Sequence, residues 1–192
     1  KRQVAAKTTI LVLPGDLPLI SDDLIRDMCE PLPRGVALRM MTANLPNPAG
    51  YGRVVRKGKK GSVLRIVEEK DANAREKMIQ DVVLSIYQFQ AQFLAVGVQE
   101  LKNNNAQKEY YLPDLVSAAV RKKRSIETLP WSEIEDVRGV NNPLELAEAF
   151  HTLNIRVIRN LALNGVRFMD IHRAIIEPTV EVAKNVVIYP GV

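Results

Sequence analysis

Asp16 is the first residue whose type and place could do chemistry. It follows Pro14-Gly15 at the end of the apolar run Thr8-Thr9-Ile10-Leu11-Val12-Leu13. Carboxyl ends of strands in open α/β sheets form ligand crevices. A lone carboxylate there, beside a glycine that permits close approach, suits Mg²⁺ carrying a phosphate substrate; a turn aspartate accounts for the residue equally well. Gly50-Tyr51-Gly52-Arg53 sets two glycines around an aromatic, as where backbone must approach a ligand, and turn geometry alone explains it about as well. Ile66-Val67-Glu68-Glu69-Lys70-Asp71, taken alone, reads as a strand end with solvated charges. Glu109-Tyr110-Tyr111 reads as a helix start, governed by capping and packing. Gly139-Val140-Asn141-Asn142 precedes a long helical pattern, and Asn141 offers an amide oxygen, although asparagines beside a proline are ordinarily caps. His151 and His172 have no partners at metal-ligand spacing and read as structural or surface residues. There is no Ser/His/Asp arrangement, CxxC pair or Walker loop.

The elements that would position these residues alternate between strand and helix. The run Thr8–Leu13 has the continuous apolar character of a strand buried on both faces of a parallel sheet. Ser21 caps a helix with Asp22 and Asp23 in its first turn, closed by Pro31 and Pro33. Val36–Thr42 alternates and predicts a second strand. Tyr51–Arg56 and Ser62–Glu68 predict a hairpin about the Lys57–Gly61 turn. Val82–Phe89 predicts a strand, Ala91–Leu101 a helix, and Glu109–Lys123 a second helix with Pro113 in its first turn. Ser125–Leu129 predicts a short edge strand. This is an α/β pattern whose hairpin makes the sheet mixed.

After Asn142 as N-cap and Pro143 at the first helical position, apolar residues recur at helical spacing as far as Leu161, and Asn164-Gly165 stops the helix. Its length of roughly 30 Å, at about 1.5 Å per residue, reads as a connector over residues 142–165 between a domain over 1–141 and a tail over 166–192. In the tail Ile176, Val182 and Ile188 recur every sixth residue, as do Val180, Val186 and Val192. That is the hexapeptide period of a parallel β-helix, whose coil takes three hexapeptides, and about one coil is covered.

At 192 residues the chain can bury a sizeable α/β core. Its 46% hydrophobic and 26% charged residues are ordinary for a globular protein. The net charge of +5 favours phosphorylated substrates. The basic runs Lys57–Lys60 and Arg121–Arg124 carry no interleaved aromatics, so no nucleic-acid platform is expected. The single cysteine, Cys29, forms no disulfide within the chain and is expected as a small core hydrophobe. Neither a membrane-spanning run nor a signal peptide pattern occurs, which makes the cytoplasm the expected location. Lys1 in place of Met, with a strand following closely, is read as a start inside a domain.

In order, Leu13-Pro14-Gly15-Asp16-Leu17-Pro18-Leu19-Ile20, Gly50-Tyr51-Gly52-Arg53-Val54, Ile66-Val67-Glu68-Glu69-Lys70-Asp71-Ala72, Asn103-Asn104-Asn105-Ala106-Gln107, Glu109-Tyr110-Tyr111-Leu112 and Gly139-Val140-Asn141-Asn142 resemble the bifunctional N-acetylglucosamine-1-phosphate uridyltransferase/glucosamine-1-phosphate acetyltransferases. The tail resembles the entry to that family's left-handed β-helix. The resemblance implies a Rossmann-like nucleotidyltransferase sheet, here without its N-terminal portion, then a long connector helix and a first β-helix coil. It implies Mg²⁺-dependent reaction of UTP with N-acetylglucosamine 1-phosphate, giving UDP-N-acetylglucosamine (a cell-wall peptidoglycan precursor) and pyrophosphate. By motif match Asp16 and Asn141 would hold Mg²⁺, while Gly15, Gly52, Glu68, Tyr110, Tyr111 and Asn141 would bind substrate. No catalytic residue is expected beyond these ligands, since positioning and charge neutralisation do the work.

The departures shape the expectation equally. The family's Gly-rich phosphate loop is not found in these 192 residues, so impaired turnover is expected, and a sheet edge left unpaired where the first strand would lie predicts poor stability or self-association. The family's Glu-Ile-Asn-Thr-Gly stands here as Asp81-Val82-Val83-Leu84-Ser85, which puts Val83 in place of a sugar-contacting asparagine. Its Tyr-Tyr-x-Thr-Asp stands as Tyr110-Tyr111-Leu112-Pro113-Asp114, which removes a hydroxyl at Pro113. Pro14 occupies a position that is often Tyr. Two further readings follow: a non-catalytic relative serving as a binding or assembly module, and a nucleotidyltransferase for another sugar 1-phosphate. The family trimerises through its β-helix; a tail this short is not expected to support either that trimer or acetyl transfer.

Overall fold

The computed structural model describes residues 8–58 and 61–192, so Lys59 and Lys60 of the first basic run lie outside the described residues. The chain divides into two compact units, one running to Gly15 and from Ile20 to Val137, the other made of Asp16–Leu19 and Arg138–Val192.

In the first unit β1 (Thr9–Val12) leads to α1 (Asp22–Cys29). Ser21 Oγ accepts the Leu24 N–H and starts that helix, and Asp22 and Asp23 lie in its first turn. Next come β2 (Val36–Asn44), β3 (Gly52–Arg56) and β4 (Val63–Val67), the last two being the expected hairpin. A short α2 (Ala74–Lys77) follows, missed by apolar periodicity because it buries nothing. Its signal is a capping box, with Asn73 accepting the Arg75 and Glu76 N–H groups while Glu76 accepts the Asn73 N–H. Then come β5 (Asp81–Gln90), α3 (Ala91–Glu100), α4 (Asp114–Arg121), β6 (Ser125–Pro130) and a 3-10 turn over Ile134–Val137.

The sheet order is β4-β3-β5-β2-β6, and β1 pairs with β5 beside β3. Among the described strands of this sheet only β2 and β6 run parallel and the other pairings are antiparallel, so the sheet is mixed as expected. β6 is the edge strand that Ser125–Leu129 predicted. The core gathers Leu38, Met40, Val54, Val83, Tyr87 and Phe89 with Leu115 and Val116 of α4.

Several expectations need correction. β1 is not a doubly buried parallel strand: it pairs antiparallel to β5, its sole strand partner among the described residues, and Ile10 is 40% exposed. β2 does not alternate; Val36–Ala43 is buried throughout, because β5 and β6 flank it and helices cover it. The helix expected from Glu109 begins at Asp114, since Lys108 at φ 55° and Asn105 hold the preceding segment in a turn. Cys29 is exposed and not a core residue. The buried stripe of α1 is Leu24 and Met28, one helical turn apart, and Cys29 lies about 100° around the axis from Met28.

In the second unit α5 (Pro143–Leu163) is the expected long helix, about 32 Å at 1.5 Å per residue. Asn142 Oδ1 caps it by accepting the Glu145 N–H at 3.0 Å, and Gly165 at φ +98° lets the chain turn away. β7 (Arg167–Phe168) and β8 (Val187–Ile188) pair in parallel. Backbone bonds from Asn185 to Gly165, Arg167 to Val186, Met169 to Ile188, Gly191 to Arg173 and Ile175 to Val192 lay the end of the tail beside its beginning. Asn154 of α5 holds the stretch between them: its amide donates to the Ala174 carbonyl at 2.8 Å and accepts the Ile176 N–H at 3.0 Å. Ile176 and Ile188 are buried with Ile158, Val166 and Ala174, and Val182 packs against them. Of the two hexapeptide columns this one turns inward, whereas Val180, Val186 and Val192 are 44%, 40% and 62% exposed.

Candidate functional site

Three strands of the first unit bring Gly52, Val83 and Glu68 together. Gly52 opens β3 opposite Val83 of β5, and Arg53 lies opposite Val67 of β4, the residue before Glu68. A Cβ at Gly52 would lie 3.0 Å from Val83 Cγ1, 3.1 Å from Ile66 Cγ2 and 3.2 Å from Glu68 Oε1. Space therefore requires glycine at 52, while Gly50 has the left-handed φ of +86°. The turn reading holds at Gly50, and at Gly52 the close approach is that of the Val83, Ile66 and Glu68 side chains. The loop is pinned from below by the buried Arg53 guanidinium, which donates to Glu69 Oε2 at 2.6 Å and to the Tyr51 carbonyl; Glu69 Oε2 also accepts the Gly50 N–H.

Beyond Glu68 the surface opens into a cavity of about 300 Å³ lined in part by Glu68, Asp71, Asn105, Tyr111, Pro113 and Asp114. Asp71 Oδ1 accepts the Ala106 N–H at 3.0 Å. Asn105 Oδ1 accepts the Gln107 and Glu109 N–H groups, and Tyr111 donates its hydroxyl to Gln107 Oε1 at 2.9 Å. Those bonds set Tyr111 at the cavity wall, whereas Tyr110 is 68% exposed and is not among the lining residues. Asp71, Asn105 and Asp114 were not singled out individually by residue type. The Asn105 side chain closing its own loop on Gln107 and Glu109 was their legible signal.

Burial, then the charges of Asp71 and Asp114, raise the Glu68 carboxyl above its ordinary value against the opposing pull of Arg53. Asp114 is raised mainly by burial. Burial, then Asp71, Glu109, Glu68 and Asp114, also raise the Tyr111 phenol. The folded chain thus holds the Glu68 proton to higher pH than the unfolded chain does. The unfolded state binds fewer protons in that window, so stability falls as pH rises from about 4.5 through the raised value. Glu68→Gln should remove that slope and make the chain more stable than wild type at pH 7. Urea midpoints measured from pH 4 to pH 8 check this; parallel curves for the two proteins would refute it.

The second unit holds the two expected metal ligands. Asp16 accepts the Val140 N–H on its carbonyl at 2.9 Å, and its carboxylate lies over Gly139, where a Cβ would sit 3.0 Å from Oδ2. Asn141 donates through its backbone N–H and its Nδ2 to Glu145 Oε2, at 2.7 and 3.3 Å, which leaves Oδ1 as an acceptor. Those bonds, the backbone one first, hold the Glu145 carboxyl below its usual range. A carboxylate and an amide oxygen are hard donors that fit Mg²⁺. No group of three or more His, Cys, Asp or Glu at metal distance occurs among the described residues. The pair therefore suits an ion that keeps waters and substrate phosphates in its shell. Gly15, in the first unit, is exposed with open space around it. The rings of His151 and His172, both exposed, stack with centroids 6.5 Å apart. No helix among the described residues is long and apolar enough to cross a membrane.

No protein-family model matches the chain. It is 38% identical over 185 residues to the bifunctional protein GlmU of Syntrophotalea carbinolica, covering 96% of this chain and 39% of that protein. It is 37% identical over 193 residues to the GlmU protein of Clostridioides difficile, covering 100% of this chain and 42% of that one. It is 39% identical over 184 residues to that of Geotalea daltonii, covering 95% and 40%. The chain spans about two-fifths of the length of these relatives. The resemblance carried by the motifs thus extends along essentially the whole chain.

Proposed function

We propose that this chain carries the sugar-phosphate and metal-binding residues of a nucleotidyltransferase that joins UTP to N-acetylglucosamine 1-phosphate. The observation that carries the proposal is the meeting of Glu68 and Tyr111 on one cavity wall, with Gly52 lying against Glu68, from motifs far apart in sequence. A phosphate oxygen of the sugar 1-phosphate attacks the α-phosphorus of UTP in line, the bond to the β-phosphate oxygen breaks, and pyrophosphate leaves. Asp16 and Asn141 would hold Mg²⁺, which would supply charge neutralisation at the phosphates. Gly52, where no Cβ fits, lets the Glu68 carboxylate lie against β3. Glu68 and Tyr111 hold sugar hydroxyls, and Gly15 lets backbone approach the nucleotide. Without a Gly-rich phosphate cradle among these residues, turnover is expected to be slow. Residues 142–165 act as a connector, and the parallel return of the tail onto itself supports one coil of a β-helix over 166–192. The cytoplasm is the location that fits this substrate.

A second reading has its own observation. Val83, 2% exposed, turns a methyl toward Gly52 beside Glu68, and Pro113 lines the cavity. Neither side chain can hydrogen-bond, so a sugar 1-phosphate lacking the acetamido group fits this wall as well. Calorimetric titration with Mg²⁺ and a panel of sugar 1-phosphates, followed by pyrophosphate release with UTP, tests both. N-Acetylglucosamine 1-phosphate is expected to bind, and Asp16→Ala to weaken it at least tenfold. Tighter binding of glucose 1-phosphate would favour the second reading, and no binding by any sugar 1-phosphate would refute both.

A further inference from the structure

We infer that Glu145 is a positioning residue for the metal: it fixes the Asn141 amide so that the oxygen, and not the NH₂ group, is presented for coordination. The inference rests on the proposed roles of Asp16 and Asn141. An asparagine amide is nearly symmetric in shape, and rotation by 180° about its last bond exchanges an acceptor for a donor pair. A cation needs the oxygen, and an NH₂ group turned toward it repels. The Glu145 carboxylate breaks that symmetry. Oε2 accepts the Asn141 backbone N–H at 2.7 Å, which ties the carboxylate to this residue, and accepts Nδ2 at 3.3 Å. A carboxylate offers acceptors alone, so only the NH₂ face of the amide can point at it and Oδ1 must point away.

The local sequence provides this arrangement cheaply. Asn142 caps α5 through the Glu145 N–H, which puts Glu145 in the first turn. Its side chain reaches back past the cap to Asn141 in place of the cap's own N–H, the usual partner in a capping box. Groups that orient a metal ligand commonly carry 10–100-fold in metal affinity. A purely structural role for Glu145 would instead lower stability and leave the ion's affinity unchanged.

The test is a Mn²⁺ titration of the full chain, followed by paramagnetic broadening of the amide signals of Gly139, Val140 and Asn141, with urea unfolding of each variant alongside. Glu145→Ala is expected to weaken Mn²⁺ at least tenfold. Glu145→Gln, which keeps an acceptor for Nδ2, should stay within about threefold of wild type. Asn142→Ala removes the cap and should lower stability while leaving Mn²⁺ affinity within about twofold. Wild-type affinity in Glu145→Ala, with affinity lost in Asp16→Ala, would overturn the role of Glu145 alone. Wild-type affinity in both Asp16→Ala and Asn141→Ala would overturn the metal site itself, and this inference with it.

Discussion

Arg39→Ala should lower the unfolding free energy by about 3 kcal/mol, a large share of the ~5–15 kcal/mol that holds a domain of this size. Arg39 is 5% exposed in the central strand β2. Its Nη1 donates to the Glu30 carbonyl at 2.7 Å, the Asp27 carbonyl at 3.3 Å and Gln88 Oε1 at 3.1 Å, while Nε donates to Glu127 Oε2 at 2.9 Å. Gln88 in turn donates to Thr9 Oγ1 at 3.3 Å. One polar row, buried at Gln88 and Arg39, thus crosses the sheet from β1 through β5 and β2 to β6, and it bonds the last carbonyls of α1. Removing the guanidinium leaves Gln88 Oε1 and the Glu30 carbonyl without that donor at about 1–3 kcal/mol each, while the Asp27 carbonyl keeps the Glu30 N–H. Glu127 contributes less, because its side chain is 37% exposed and can return to water. Urea midpoints at constant m-value measure the loss. The double variant Arg39→Met/Gln88→Met should recover part of it, since it removes the stranded Gln88 oxygen while the α1 carbonyls still lack the guanidinium. A loss below about 1 kcal/mol for Arg39→Ala would show that water replaces the arginine.

Arg39 also marks the limit of what the sequence discloses. Within Val36–Thr42 it looks like the solvent-facing member of an alternating strand. Its burial follows from Gln88, Glu127 and the end of α1, all distant in sequence, and no local period reports them. Elements governed by local chemistry were legible: the Ser21 and Asn142 caps, the hairpin strands, the edge strand β6 and the long α5. The same holds for the glycines at 50 and 52, where a positive φ and a close approach each leave a residue-type signature. β1 misled because an apolar run records side-chain type and not strand direction, and its partner β5 lies some 75 residues on. Of the candidate site, Glu68 and Tyr111 could be ranked above solvated charges and packing only through the order of the motifs. The part played by Glu145 depends on where a side chain turns after the helix has formed.

On the proposed sugar-binding role, Val83→Asn should shift the preference between sugar 1-phosphates. The motif resemblance implies a sugar-contacting asparagine at this position, and here it is a valine 2% exposed, facing Gly52 beside Glu68. Asparagine is close to valine in size. Without ligand the substitution buries an amide among Ile66, Val54 and Tyr87, whose hydroxyl already lacks a partner, and should cost about 1–3 kcal/mol of stability. Bound sugar returns that cost when the acetamido group meets the new amide. The affinity for N-acetylglucosamine 1-phosphate relative to glucose 1-phosphate should then rise by about 10–100-fold, the equivalent of one satisfied buried polar group. The decisive quantity is the ratio of the two calorimetric dissociation constants, because a general loosening of the unit would weaken both ligands together. An unchanged ratio would place the acetamido group away from β5 and leave Pro113 and Tyr111 to read the sugar. A raised ratio would make Val83 the residue that relaxes this chain's choice of sugar.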